Sequence, residues 1–444
     1  MKKLKNKKSK KSRKKLSASG LFEVVSKGFE GIVDHRMGKV RITLANVLMS
    51  GFAMFSLKDP SLRAFDGRRE EPTNLERIYG IEDIPCDTYM RTVLDKVDPE
   101  KLRTTYKDVF RELQRGKGLE PYKYLDEYYL LSTDGTGYFS SKQIKCPHCM
   151  KRVLKNGEHQ YYHYMLGATI VHPEMKTVIP LMPEPIIRQD GEEKNDCEQN
   201  ASKRLYQHVK EDHPKLKFLV VQDGLGCNGP NIRAIQSYDW RFIIGAKPGD
   251  NKYLFARVAE AKANEKTTTV EVVEGKTTHR FHFVNQVTLN ESNKDILVNF
   301  LEYWEITDRE EKQHFTWVTD ITITQKNAYS LMRAGRARWK IENETFNTLK
   351  NQGYHFEHNF GHGKQNLSVV FAQLMMLAFL VDQVLWTCCS LFQAAVEKIC
   401  CKTRFWERVR SFFQILELDS MEMIYRAIIY GYQIEGFTIL DDTG

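Results

Sequence analysis

The sequence predicts an α/β protein: a mixed-sheet core with an inserted β-rich subdomain, flanked by helical N-terminal and C-terminal regions. Three observations carry that reading. From Tyr128 onward, runs of apolar, β-branched and aromatic residues alternate with a helical stretch; residues 249–325 return to strong β-propensity; and residues 21–125 and 401–444 read as helices. At 444 residues the chain is long enough for two or three domains, or one large domain with insertions.

The formal charge of +9 is concentrated at the start. MKKLKNKKSKKSRKK holds ten Lys/Arg and no acid, so removing those ten charges leaves −1 for the rest of the chain. A like-charged run without apolar residues predicts a disordered basic tail over residues 1–20. Such a tail suits phosphate backbones, because each lysine that neutralises a phosphate releases counterions; a solubilising role is the plain alternative. No apolar segment follows it, so it does not read as a secretory signal. Nine cysteines, an odd number, point to free thiols in a reducing compartment.

Residues 21–125 form the predicted helical region. TLANVLMSGFAMFSL is spaced for one apolar face, and in IPCDTYMRTVLDKVDPEKL Asp87 is an N-cap candidate ahead of Met90, Val93, Leu94 and Val97. The α/β core begins at 126 and its first part runs to 248: EYYLLSTDGTGYF, YYHYMLGATIV, KTVIPL, KFLVVQD and RFIIGAKP read as strands, and NDCEQNASKRLYQHVKED as a helix. Residues 249–325, with TTTVEVVEG, HRFHFVNQVTL and FTWVTDITI, are the β insertion. The core resumes over 326–400. There LSVVFAQLMMLAFLVDQVLW is interrupted by Gln373, Asp382 and Gln383, which argues for a buried core helix rather than a membrane span.

Two strands end on Asp-Gly: Asp134 in STDGTG and Asp223 in VQDGLG. Alone, either reads as a turn aspartate bonded to its own backbone. In open α/β sheets, however, ligands bind beyond the carboxyl ends of strands, so two such aspartates on adjacent strands share one site. A third carboxylate lies in RARWKIENETFNTLK. Met332, Gly335, Trp339, Glu342, Phe346 and Leu349 step by three and four, which predicts a buried stripe with Glu342 inside it. A buried carboxylate needs a cation, either a metal or Arg338 one turn earlier. Glu344, about 200° of helix rotation away, reads as a solvated surface charge. Asp134, Asp223 and Glu342 make an oxygen-rich set of the kind that holds Mg²⁺ or Mn²⁺, and two such ions clamp both oxygens of an in-line phosphoryl transfer.

DGTG, QDGLG and RWKIENETFNTLK resemble the three catalytic blocks of bacterial insertion-sequence DDE transposases of the cut-and-paste type. The resemblance covers roughly Tyr128 to Asp382, including the β insertion between the second aspartate and the glutamate helix. It implies a ribonuclease-H-like core, catalytic Asp134, Asp223 and Glu342 binding two Mg²⁺, and DNA as partner, both element ends and target. It also implies a homodimer in a synaptic complex, DNA binding or dimerisation by residues 21–125, and a cytoplasmic, nucleoid-associated protein. The family's Tyr, Arg, Glu, Lys signature is met at Arg338 and Glu342. Gly335 stands at the Tyr position, and Lys350, the candidate DNA-contacting lysine beside Arg338, lies one place beyond the usual lysine. The alternatives are a nuclease that cuts without joining, since fold and metal site alone do not separate the two, and a zinc-dependent nucleic-acid-binding protein.

A structural zinc ion is the second metal expectation. Cys146-x2-Cys149 is followed by His159-x3-His163, but four strand residues span about 13 Å, so at most one histidine joins the cysteines. The expected knuckle uses Cys146, Cys149 and His163, completed by His148 or Cys197, against free cysteines in a turn. His358 and His362 have the spacing of two helical ligands, but Gly361 and Gly363 predict a loop, and both are expected to cap or meet solvent.

Overall fold

The computed structural model describes residues 15–70, 72–125, 127–188, 195–308 and 310–431. Most of the expected basic tail therefore lies outside the described residues, as do the last thirteen positions of the expected C-terminal region. The chain divides into a helical unit (1–118, 352–355 and 381–444) and a sheet unit (119–351 and 356–380).

The helical unit opens with α1 (Ala18–Glu30), α2 (Leu44–Ser56), α3 (Leu62–Asp66), α4 (Thr73–Tyr79), α5 (Asp87–Leu94) and α6 (Arg103–Arg115). Ordered helix thus begins inside the span expected to be tail. The Ser17 hydroxyl accepts from Gly20 N at 3.2 Å, capping α1 and burying Leu21, Phe22, Val25 and Phe29 on one face. Cys86 rather than Asp87 is the N-cap of α5; Asp87 is its first residue and pairs with Arg91. The C-terminal helices α13 (Ser390–Ile399), α14 (Lys402–Ile415) and α15 (Met421–Tyr430) belong to this same unit. The Asn74 amide donates to the carbonyls of Phe413 and Leu416, both at 2.6 Å, closing the carboxyl end of α14.

At the centre of this unit Lys58 is fully buried. Its ammonium donates to Asp382 at 2.6 Å and to Ser56 O at 2.9 Å, and lies 3.9 Å from the Trp406 ring centroid. The Tyr354 hydroxyl also donates to Asp382. Asp382 belongs to α12 (Leu367–Cys388), which is long and apolar enough to cross a membrane but has 94% of its most apolar window buried in the structure.

The sheet unit contains β1 (Lys123–Tyr124), β2 (Tyr128–Ser141), β3 (Met150–Val153), β4 (His159–Val171), β5 (Ile179–Pro180), β6 (Glu184–Ile186), α7 (Glu198–Asp212), β7 (Phe218–Gln222), α8 (Gly229–Gln236) and β8 (Arg241–Gly245). After these come α9 (Lys252–Ala263), β9 (Thr268–Glu274), β10 (Thr277–Asn290), β11 (Asn293–Thr307), β12 (Glu310–Thr319), α10 (Ala328–Arg336) and α11 (Asn347–Asn351). One sheet runs β3-β4-β2-β7-β8-β12-β11-β10-β9. β2, β7 and β8 are parallel and β4 is antiparallel to β2, which is the ribonuclease-H-like mixed sheet expected from the sequence. Leu130, Leu131, Val220 and Val221 are wholly buried, as a central parallel pair requires.

The β-rich insertion extends this same sheet. It leaves after β8, forms α9 and the β9–β12 meander, and returns with β12 antiparallel to β8 (Val318 opposite Ile244).

Candidate active site and metal-binding cluster

Ser132 on β2 pairs with Val221 on β7 in the last parallel rung, so continuing the ladder sets Asp134 beside Asp223. The two strands differ in how they reach that point. β7 stops at Gln222, and Asp223 caps the short turn Gly224–Gly226 by accepting from Leu225 N at 3.0 Å. β2 does not stop. It was expected to end at Asp134 but stays paired with β4 to Ser141, with Asp134 opposite Gly167. Gly135 and Gly137 are strand residues here, and glycine stands at both because neighbouring side chains fill the space of a Cβ: one on Gly135 would meet Glu198 Oε1 at 2.1 Å, and one on Gly137 would meet Tyr164 at 2.7 Å.

Glu342 reaches Asp134 by a route other than the predicted stripe. Between α10 and α11, residues Ile341–Phe346 form a π-helix, whose extra residue per turn breaks the 3.6-residue period. Ile341, Thr345, Phe346 and Leu349 are buried, whereas Trp339 is 49% exposed and the Glu342 side chain 38%. Phe346 settles over Gly167, where a Cβ would meet its ring at 2.8 Å, and Arg338 O accepts from the Ser132 hydroxyl at 3.1 Å. These contacts press the segment onto the face of β2 that carries Asp134.

The Arg338 guanidinium lies between the two carboxylates, 2.6 Å from Glu342 and 3.5 Å from Asp134. Burial pushes the Asp134 carboxyl up to about 7; Arg338 opposes that rise, and Glu342 adds to it. The site is therefore short of positive charge. Asp134, Asp223 and Glu342 do not close into a set with oxygens all within 4.8 Å of one another. Glu344 is half-buried, and its neighbouring cation is Lys340, which donates to Met175 O at 2.6 Å. Lys350 pairs with Glu357 at 2.8 Å.

A fourth carboxylate at this site has no marker in the sequence. Glu198, at the start of α7, packs on Gly135 and lines one cleft with Thr133, Asp134, Gln222 and Asp223. Burial first, then the Asp223 charge, raises its pKa.

Cys146, Cys149 and His163 do converge. The imidazole Nε2 of His163 is 3.4 Å from each sulfur, and the sulfurs are 3.7 Å apart. The fourth member corrects the sequence reading: neither His148 nor Cys197 completes the set, but His362, which is only 7% exposed and has Nε2 3.4 Å from Cys149 Sγ. Its loop folds inward because the ring packs on Phe139, with centroids 4.3 Å apart. His159 is exposed at the far end of β4, as the strand distance required. A Cys-x2-Cys pair needs two more nitrogen or sulfur donors, and the His358-x3-His362 pair was the signal for one of them.

No protein-family model matches the chain, and no curated protein matches it. Among solved structures, it is similar to a piggyBac transposase synaptic complex with hairpin DNA, seen by cryo-EM. The identity is 10% and the TM-score 0.40, over 98% of this chain and 87% of that one.

Proposed function

We propose that this protein is a DDE-type DNA transposase of the insertion-sequence kind, which cuts DNA at the ends of a mobile element and joins the freed 3′-hydroxyl to a target. One observation carries the reading: Asp134 and Asp223 stand at adjoining positions of neighbouring parallel strands, with Glu342 brought to Asp134 across Arg338. The donors are all carboxylate oxygens, and burial of Asp134 leaves them wanting a cation, so the residues fit a hard divalent ion such as Mg²⁺ or Mn²⁺. Asp134, Asp223 and Glu342 would hold two such ions, which supply Lewis-acid stabilisation of the attacking and leaving oxygens of a phosphodiester. Arg338 is a positioning residue that fixes the Glu342 carboxylate. The basic N-terminal residues add affinity for phosphate backbones without base preference, and the protein acts as a homodimer on two DNA ends in the cytoplasm.

The test is strand cleavage and joining on element-end DNA with Mg²⁺, measured beside end binding. Asp134→Asn, Asp223→Asn and Glu342→Gln should bind ends yet neither cut nor join. Arg338→Met should lose roughly tenfold to a hundredfold in cleavage, the usual cost of removing a partner that orients a ligand. Glu344→Gln should stay near wild type. An inactive Glu344→Gln beside an active Glu342→Gln would overturn the assignment. Cleavage without joined product, even with a free 3′-hydroxyl end supplied, would leave a nuclease.

A further inference from the structure

We propose that Cys146, Cys149, His163 and His362 bind one structural zinc ion, which fastens the loop after the Glu342 segment to the outer end of the β2–β4 hairpin. With Zn–S near 2.3 Å and Zn–N near 2.0–2.1 Å, a tetrahedral site has S–S edges of about 3.8 Å and S–N edges of about 3.5–3.6 Å. The sulfurs here are 3.7 Å apart, His163 Nε2 is 3.4 Å from each of them, and His362 Nε2 is 3.4 Å from Cys149 Sγ. All four donor atoms lie within 4.8 Å of one another.

Other uses of the cluster fit worse. A disulfide needs its sulfurs about 2.05 Å apart, well short of the separation here. A nucleophilic thiol needs access for its substrate, whereas Cys149 is 3% exposed, His163 1% and His362 7%, and the half-exposed Cys146 has its sulfur turned onto Cys149 and His163. Four protein donors fill a tetrahedron and leave no open position, which is the pattern of a structural rather than a catalytic zinc. The rings are held by aromatic packing: His163 stacks on Tyr138 at 5.8 Å between centroids, and His362 lies on Phe139 at 4.3 Å. Three segments meet at this point: the turn before β3, the middle of β4, and the loop leading into α12. The ion would therefore tether the chain on both sides of the Glu342 segment, since β4 lies beneath it and His362 follows it.

This inference stands apart from the reading of the carboxylates, and its test uses no DNA. Full-length protein purified under reducing conditions without chelator should carry about one zinc per chain by elemental analysis. X-ray absorption at the zinc edge should give two sulfur and two nitrogen neighbours. Cys146→Ser and His362→Ala should lose most of the metal, while His159→Ala and His358→Ala, at exposed positions, should keep it. Protein without zinc would overturn the proposal, as would full zinc content with unchanged neighbours in His362→Ala. If His362→Ala does not fold, the wild-type absorption spectrum decides alone: three sulfurs, or an oxygen in the shell, would rule out this ligand set.

Discussion

A half-buried carboxyl beside a second carboxylate makes Asp134 sensitive to pH in a definite direction. Its folded pKa is about 7, whereas a carboxyl in an unfolded chain titrates near about 4. Between those values the folded protein holds a proton that the unfolded chain has released, so stability falls as pH rises from about 4 to about 7 and levels off above. In metal-free protein the urea midpoint should fall over that range, Asp134→Asn should lack this component, and added Mg²⁺ should restore stability most at the upper end. Parallel curves for wild type and variant would mean that Asp134 titrates like a surface carboxyl. The sequence made this aspartate legible because an apolar run leads straight into Asp-Gly, and the same pattern marked Asp223. It did not show that Gly135 is a sheet residue, since only the pairing of β2 with β4 reveals that. His362 was hidden for a related reason: glycines on either side say loop, and only tertiary contact with Phe139 turns the loop inward.

At the scale of elements, the glutamate segment and α12 contrast. A period of 3.6 assigns faces well in a regular helix, and Leu367–Cys388 was readable as a core helix from its apolar run and the polar residues that interrupt it. The same period failed from Gly335 onward: α10 ends at Arg336, so Trp339 turns outward, and the π-helix over Ile341–Phe346 then puts Thr345 inside. Nothing local in the sequence announces that bulge. Sequence could also flag Asp382 as an interruption of α12 without finding its partner, because Lys58 lies 324 residues away. Burial lowers the pKa of Lys58 and raises that of Asp382, so each depends on the other to stay charged. Asp382→Ala should destabilise the protein by about 3–5 kcal/mol, as removal of one partner of a buried pair does. Replacing both, as Lys58→Met with Asp382→Leu, should recover most of that loss. Urea unfolding of the three proteins measures it, and a change below about 1 kcal/mol in Asp382→Ala would mean the pair behaves as a solvated one.

For the whole molecule, charge and chain path have separate consequences. Removing residues 1–15 should weaken binding about equally for all DNA sequences and flatten its salt dependence, because phosphate contacts carry no base information. Binding measured at several salt concentrations checks this; an unchanged slope would assign those lysines to solubility. The chain path was less legible than the charge. Helices from both ends of the sequence belong to one unit, a closure that composition cannot show. The insertion read as a β-rich subdomain, and its strands continue the core sheet, a continuity that composition does not show. Its two ends are fastened to each other, since Ala246 N donates to Thr316 O at 3.0 Å where β8 meets β12. Everything between those residues is, to the strands that carry Asp134 and lead into Asp223, one closed loop. Doubling the length of such a loop adds only about 0.6 kcal/mol to its closure entropy. The meander can thus change length at little entropic cost, but its strand bodies stay tied to the helix that precedes Glu342, since Arg336 pairs with Glu305 at 2.8 Å and Gly335 packs against Trp317.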